Sequence, residues 1–113
     1  MILLGGIKLL KVLMEFRKGI LFVRLFGTLD DKSIKDFKSK VKEVIIESGI
    51  RYVVLNTSNL EGISKDGVKE IKSLKKIIKK MDGEFFLFAG EVKELASLVN
   101  LENELKVFER VVI

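Results

Sequence analysis

The 113-residue chain contains no cysteine, histidine, tryptophan or proline. Without cysteine the chain can form neither a disulfide nor a thiolate nucleophile, and without histidine it lacks the commonest general base. The usual zinc ligands are absent with them. These absences argue against most enzyme classes, and we expect no metal and no cofactor. A hydrophobic share of 48% and a length of 113 residues fit a single domain with one core, which we interpret as a non-enzymatic binding module.

The first ten residues are mostly apolar, but they match no targeting signal. Lys8 and Lys11 interrupt the apolar stretch, whereas a membrane-spanning helix needs about 20 consecutive apolar residues. A secretory signal has its basic residues before the apolar stretch and a cleavage site after it. We therefore expect a cytoplasmic protein without membrane insertion. Residues 1–9 form an N-terminal extension or the start of the first strand, and residues 10–113 form the domain.

Two strands joined by a tight turn are predicted at the start of the domain. Residues 10–16 alternate in polarity, which is typical of a half-buried strand with one apolar face: Leu10, Val12, Met14 and Phe16. Gly19 supplies a positive φ for the turn. The nearly continuous apolar stretch at residues 20–26 predicts a second strand nearer the centre of the sheet. We expect Phe22 and Phe26 to pack in the core rather than to stack on bases from an exposed sheet face.

Helices and strands then alternate. Apolar residues at helical spacing from Ile34 to Ile45 predict a first helix, which Gly49 ends. Residues 52–55 read as a strand buried on both faces, and residues 56–63 as a polar loop. A second amphipathic helix follows, with an apolar stripe of Val68, Ile71, Leu74, Ile78 and Met81.

Gly83 ends the second helix, and the chain then continues with a strand at residues 85–89. A third helix at residues 91–99 and a final strand at residues 107–113 complete the order ββαβαβαβ. Alternation of this kind predicts an α/β fold with a mixed, mostly parallel sheet, right-handed crossovers and packed helices, in which the opening hairpin adds the antiparallel pair.

The charge is unevenly distributed along the chain. Residues 68–81 carry six lysines and one glutamate and so equal the net charge of the whole chain, +5. These lysines occupy the helix face opposite the apolar stripe: Lys69, Lys72, Lys75, Lys76, Lys79 and Lys80. The face is either simply solvated or a docking surface for an acidic partner. Nucleic-acid binding through these lysines is a weaker alternative and is not expected.

The residues that open the second helix suggest a site. Ser64 suits the N-cap position, and Asp66 lies in the first turn, where a negative charge interacts favourably with the helix dipole. Capping alone accounts for both residues. However, they follow the carboxyl end of a predicted parallel strand, which is where open α/β sheets place their binding sites.

The order of elements and several short motifs resemble the STAS domain, the family of bacterial anti-sigma factor antagonists. The similarity runs from about Leu10 to Phe108. It depends on the hairpin, on VRLFGTLD at 23–30, on VVLN at 53–56 leading to SKDG at 64–67, on Gly83, and on LVNL at 98–101. No motif is specific alone, but their order and spacing agree with the family.

The resemblance implies a phosphorylation switch with one departure. In the family, the loop before the second helix typically reads D-S-S-G or D-x-[ST]-G, and a partner anti-sigma factor that is also a serine kinase phosphorylates the hydroxyl residue before the glycine. Matching on Gly67 places Asp66 at the phosphoacceptor position and Ser64 where aspartate is usual. Asp66 carries a fixed charge of about −1, against about −1.5 to −2 for a phosphate. Ser64 is the alternative phosphoacceptor.

Two functions follow from the resemblance. The first is regulation by binding an anti-sigma factor or another protein of the kinase fold. The expected contact residues are Asn56, Ser58, Asn59, Ser64, Lys65, Asp66, Gly67, Lys69, Lys72 and Lys76. The second is that the protein is a STAS subunit of a larger signalling or transporter assembly and has no phosphorylation switch.

Overall fold

The structure, a computed structural model, describes residues 9–90, and within them a mixed four-stranded sheet carries helices on one face. The strands are β1 (Lys11–Arg17), β2 (Ile20–Leu29), β3 (Tyr52–Ile63) and β4 (Glu84–Phe88), and they lie in that order across the sheet. β1 and β2 are antiparallel, while β2, β3 and β4 are parallel. The predicted fold class is confirmed, including the inner position of β2. The elements predicted at residues 91–99 and 107–113 lie outside the described residues, as do residues 1–8.

The first predicted helix is one continuous helical segment with three parts. These are α1 (Ile34–Phe37), a π-helical turn (Lys38–Lys42) and α2 (Glu43–Ser48). Gly49 ends the segment in the left-handed conformation, with φ of 65°. The spacing of the apolar residues predicted the helix, and Gly49 predicted its end. The sequence analysis did not predict the π-helical turn.

α3 (Lys65–Lys80) is the longer helix and crosses between β3 and β4. Its buried positions are Gly67, Ile71, Leu74 and Ile78. Met81 was predicted to belong to the apolar stripe, but it lies just after the last residue of the helix. Among residues 9–90, no helix combines the length and the apolarity needed to cross a membrane.

The core lies between the helices and one face of the sheet. The helices contribute side chains that are fully buried, among them Phe37, Val41, Ile45, Ile71, Leu74 and Ile78. The strands contribute the alternate residues whose pairing brings them onto the same face: Leu21, Val23, Leu25, Val53, Leu55, Phe85 and Leu87. The apolar residues that recur every second position in the strands therefore pack against those that recur every three to four positions in the helices, and together they form a single apolar layer.

The second half of β3 corrects the sequence interpretation. Residues 56–63, predicted as a loop, continue the strand and pair with β2 as far as Ile63. β2 itself runs to Leu29 rather than ending at Phe26, with register shifts between Arg24 and Phe26 and between Gly27 and Thr28. Both segments contain a glycine and polar residues, which are typical of turns. The irregular register accommodates them in the sheet instead.

The opening hairpin also differs from the prediction. Leu10 is buried and Val12 half-buried as expected, but Met14 and Phe16 are 42% and 59% exposed, because none of the described helices extends over this end of β1. Phe22 and Phe26 were expected in the core, and this is wrong. Both lie on the opposite sheet face, half-buried, where Arg17 stands 5.3 Å from the centre of the Phe22 ring and Lys11 stands 5.8 Å from that of Phe26.

Candidate functional site

The start of α3 is held by a side-chain cap. Ser64 has extended backbone angles, and its Oγ accepts a hydrogen bond of 3.1 Å from the backbone N–H of Gly67. This satisfies one of the four N–H groups that a helix leaves unpaired at its start. The backbone N–H of Ser64 donates in turn to the carbonyl oxygen of Leu29 at 2.9 Å. The cap predicted from the sequence is thus confirmed, and it joins the first turn of α3 to the end of β2.

Gly67 lies where the chain leaves no room for a side chain. A Cβ at this position would stand 2.5 Å from the carbonyl oxygen of Leu29 and 2.9 Å from Cγ1 of Ile63. The glycine therefore lets the first turn of α3 rest directly on the ends of β2 and β3. Close packing explains this glycine, because its backbone does not lie in the left-handed region.

A groove runs along one side of this first turn. It has a volume of about 390 Å³ and is lined by Ile63, Ser64, Lys65, Val68, Lys69 and Lys72. Ile63 and Val68 are half-buried and give it an apolar floor, while the three lysines are exposed around it. Val68 and Ile63 are the members of this site that the sequence interpretation did not assign to it. A partner with an apolar side chain next to carboxylates would complement the groove.

The lysine face of α3 extends beyond the groove. Lys69, Lys72, Lys76, Lys79 and Lys80 are exposed, and Lys75 is half-buried. Glu70 lies on the flank of the helix, where its carboxylate accepts from Lys38 and from Lys42, at 3.4 Å each. The single glutamate of α3 thus pairs with lysines of the π-helical turn. Within residues 9–90 the exposed lysines of α3 form no ion pair, so their charges are available to another molecule.

Asp66 is exposed in the first turn of α3, but it does not line the groove. At 100° per residue it lies about 100° around the helix from Lys65 and about 60° from Lys69, towards the side of Glu70. Its carboxylate remains beside the N–H groups of the first turn, where the helix dipole stabilises a negative charge. A partner touching the groove and Asp66 together must therefore span the end of the helix.

The remaining predicted contact residues lie elsewhere. Asn56 is in the middle of β3, beside Arg24 of β2 and Phe88 of β4, and its Oδ1 accepts from the N–H and the hydroxyl of Ser58 at 2.9 and 2.6 Å. Asn59 is exposed further along the same strand. β2 spans the interval from Asn56 to Ile63 with the five steps from Arg24 to Leu29, so Asn56 lies roughly 17 Å from the residue that precedes Ser64. The predicted set therefore divides into a group around the start of α3 and a separate group within β3.

This arrangement of strands and helices is that of a known family. The STAS domain family model matches residues 11–112. The chain belongs to the STAS domain family. Two structures of the anti-sigma factor antagonist SpoIIAA have the same fold. The unphosphorylated form matches with a TM-score of 0.66 at 16% identity, and the phosphorylated Bacillus form with 0.68 at 17%. In both cases the match covers 89% of this STAS domain and 99% of the other chain.

An anti-sigma factor antagonist STAS domain from Rhodobacter sphaeroides is similar as well. Its TM-score is 0.62 at 16% identity, over 80% of this chain and 96% of that one. At these identities the likeness establishes the STAS fold, while the residues of the site have to be judged from their own geometry. In this STAS domain that geometry is a capped helix start, a glycine without space for a side chain, and a lysine-rimmed groove beside them.

Proposed function

We propose that this STAS domain is a non-enzymatic regulator that binds a protein partner of the anti-sigma factor class with a serine-kinase fold. The groove beside the start of α3 carries this proposal, because it combines an apolar floor with three exposed lysines. Such a surface complements a partner that presents carboxylates around an apolar side chain. The start of α3 is rigidly placed by the Ser64 cap and by Gly67, so the surface is formed before the partner arrives.

Asp66 gives the proposed regulator its particular behaviour. The family pattern places a phosphorylated hydroxyl residue at this position, and the likeness to SpoIIAA supports the same use of the surface here. An aspartate cannot be switched by a serine kinase, but it holds a permanent negative charge in the first turn of α3. We infer that phosphorylation at this position does not switch the domain, so that the amount of protein sets its activity.

Reversing two charges of the lysine face tests the proposed surface. The double substitution Lys72→Glu and Lys76→Glu is expected to weaken binding to the cognate kinase-fold partner by at least about tenfold, because both lysines face the acidic partner. Isothermal titration with the purified partner measures the change. The binding of the unaltered protein should also weaken as salt is added, since exposed charges are screened.

A matched control separates the surface from the overall charge. Lys35→Glu with Lys40→Glu makes the same change in net charge on exposed positions of the first helical segment. We expect the affinity to stay within about twofold of the wild type, since neither residue belongs to the lysine face of α3 and exposed charges are screened. Equal weakening by the two pairs, or unaltered binding by the pair on α3, would show that the partner does not use this face.

Incubation with the kinase-fold partner and ATP tests the role of Asp66. Mass spectrometry is expected to find no phosphate on residues 56–67 of the wild-type protein and one phosphate on the Asp66→Ser variant, because the substitution supplies the missing hydroxyl. Phosphate on Ser64 of the wild type would contradict the proposal and identify that residue as the acceptor. The cap supports the first outcome, since the Ser64 hydroxyl already accepts the N–H of Gly67.

The alternative function is that of a STAS subunit in a larger signalling or transporter assembly. Asp66 favours it, because a subunit that is never switched needs no hydroxyl before Gly67. The neighbouring genes discriminate between the two functions. A sigma factor beside a kinase-fold gene supports the first, whereas transporter or signalling-complex genes support the second.

A further inference from the structure

The exposed apolar side chains are concentrated on one edge of the sheet. Six large apolar residues are exposed among residues 9–90, and four of them lie in β1 or just before it: Leu9, Leu13, Met14 and Phe16. Leu13 points to the sheet face opposite the described helices, and Met14 and Phe16 point to the face that carries these helices. An edge strand that exposes apolar groups on both faces is suited to pairing with another strand.

Among residues 9–90, the outer backbone groups of β1 have no strand partner and are available for such pairing. β1 is the last strand at its edge of the sheet within the part of the chain that the structure describes. Arg17 and Ile20 flank the two-residue turn at Lys18 and Gly19, so they form a hydrogen-bonded pair and the odd-numbered residues of β1 bond to β2. The N–H and C=O groups of Val12, Met14 and Phe16 therefore point outwards.

We propose that two copies of this chain associate through β1, pairing antiparallel about a twofold axis at Leu13, to form one continuous sheet. In this register Lys11 of each copy lies opposite Glu15 of the other, in a non-hydrogen-bonded pair where side chains are closest. Val12 lies opposite Met14, and Leu13 lies opposite its own counterpart. Both faces of the new junction thus bury apolar groups, while opposite charges meet on the face to which Leu13 points.

The charges favour this register over those with the axis at Met14 or Glu15. Moving the axis to Met14 would place Lys11 opposite Arg17, and moving it to Glu15 would bring the two copies of Glu15 together. Like charges directly opposite one another destabilise a strand pair. In the free chain Glu15 is 3.1 Å from Arg17, but both side chains are largely exposed, so this pair competes weakly with Lys11 of the second copy.

The proposed dimer is compatible with partner binding at α3. α3 packs on β3 and β4, whereas β1 is at the far edge of the sheet, so the groove and the lysine face stay accessible in both copies. The junction involves one short strand from each copy, so it is smaller than a standard stable interface. We therefore expect a weak dimer, with association in the micromolar to millimolar range.

Sedimentation velocity of the full chain over that concentration range tests the dimer. The wild type is expected to pass from monomer to dimer and to stop there. Lys11→Glu and Glu15→Lys are each expected to weaken association by at least about tenfold, because two attractive pairs become repulsive. The control Lys40→Glu, an exposed position on the helical segment, makes the same charge change as Lys11→Glu and should dimerise like the wild type.

Mixing the two single variants tests the register itself. Each should be monomeric alone, but an equimolar mixture should form heterodimers with wild-type affinity, because every introduced charge then meets its opposite. The double variant Lys11→Glu with Glu15→Lys should also recover self-association, and far-UV circular dichroism should be unchanged throughout. A wild type that stays monomeric at millimolar concentration, or variants that dimerise unchanged, or a mixture without recovery, would overturn the proposal.

Discussion

Gly67→Ala is expected to lower the free energy of unfolding by about 2–3 kcal/mol, which corresponds to a fall in Tm of roughly 10 °C for a domain of this size. The sign is opposite to that of helix propensity, since alanine is about 1 kcal/mol better than glycine inside a helix. Here the added methyl would stand 2.5 Å from the carbonyl oxygen of Leu29. That oxygen already accepts the N–H of Ser64, so α3 cannot move away without losing its anchor.

Gly62→Ala provides the matched control for this prediction. Gly62 lies five residues earlier in β3, and a Cβ there would meet the nearest atom, Cγ2 of Thr28, at an ordinary contact distance of 3.6 Å. Its effect is expected to lie within about 0.5 kcal/mol of the wild type. Urea denaturation of both variants measures the difference. A stability of Gly67→Ala equal to that of Gly62→Ala would mean that the first turn of α3 is free to shift.

The Gly67 variant also bears on function. Displacing the first turn of α3 moves Lys65 and Asp66 away from the positions that the cap gives them. Partner affinity should therefore fall together with stability in Gly67→Ala and remain intact in Gly62→Ala. The lysine-face variants, in contrast, should lose affinity while keeping the stability of the fold.

Local sequence signals predicted the elements whose ends depend on neighbouring residues. Ser64 caps α3, Gly49 ends the first helical segment in the left-handed conformation, and Gly19 supplies the positive φ of the hairpin. Each of these choices is made within a few residues of chain, by one hydrogen bond or one backbone angle. Such signals can be identified in the sequence without knowing the structure of the rest of the chain.

The second half of β3 could not be predicted in the same way. Residues 56–63 contain asparagine, serine and glycine, which favour turns when they are considered alone. In the fold, Thr57 is fully buried and its hydroxyl donates to the carbonyl oxygen of Phe88 at 3.3 Å. The N–H and the hydroxyl of Ser58 both donate to Oδ1 of Asn56. This half of the strand exists because β2, which is distant in sequence, supplies its pairing partners as far as Ile63.

Alternation identified the faces of β1 but not what covers them. Met14 and Phe16 do share a face with Val12, as the pattern indicates, yet no helix within residues 9–90 reaches them. Coverage depends on where the helices end in space, and periodicity carries no information about that. The same limit applies to the site, where helical spacing gave the lysine face but the groove floor came from Ile63 and Val68 meeting across two elements.

The largest loss of stability is expected for Phe37→Ala, at about 3–5 kcal/mol. Phe37 is fully buried where α1 meets the π-helical turn, and it packs in the layer between the helices and the sheet. Truncation removes the transfer energy of the ring and leaves a cavity that the surrounding strands and helices cannot close. Phe37→Leu should keep the fold with a smaller loss, so the effect stays measurable if the alanine variant unfolds.

Phe16→Ala is the control for this substitution, since it makes the same chemical change at a side chain that is 59% exposed. At concentrations where the chain is monomeric, its effect should stay below about 1 kcal/mol. At concentrations where the proposed dimer forms, the wild type should gain stability by mass action, and Phe16→Ala should gain less. Denaturation at two protein concentrations therefore separates the two roles of phenylalanine in this domain. A concentration-independent loss of several kcal/mol for Phe16→Ala would show that β1 is packed within the monomer.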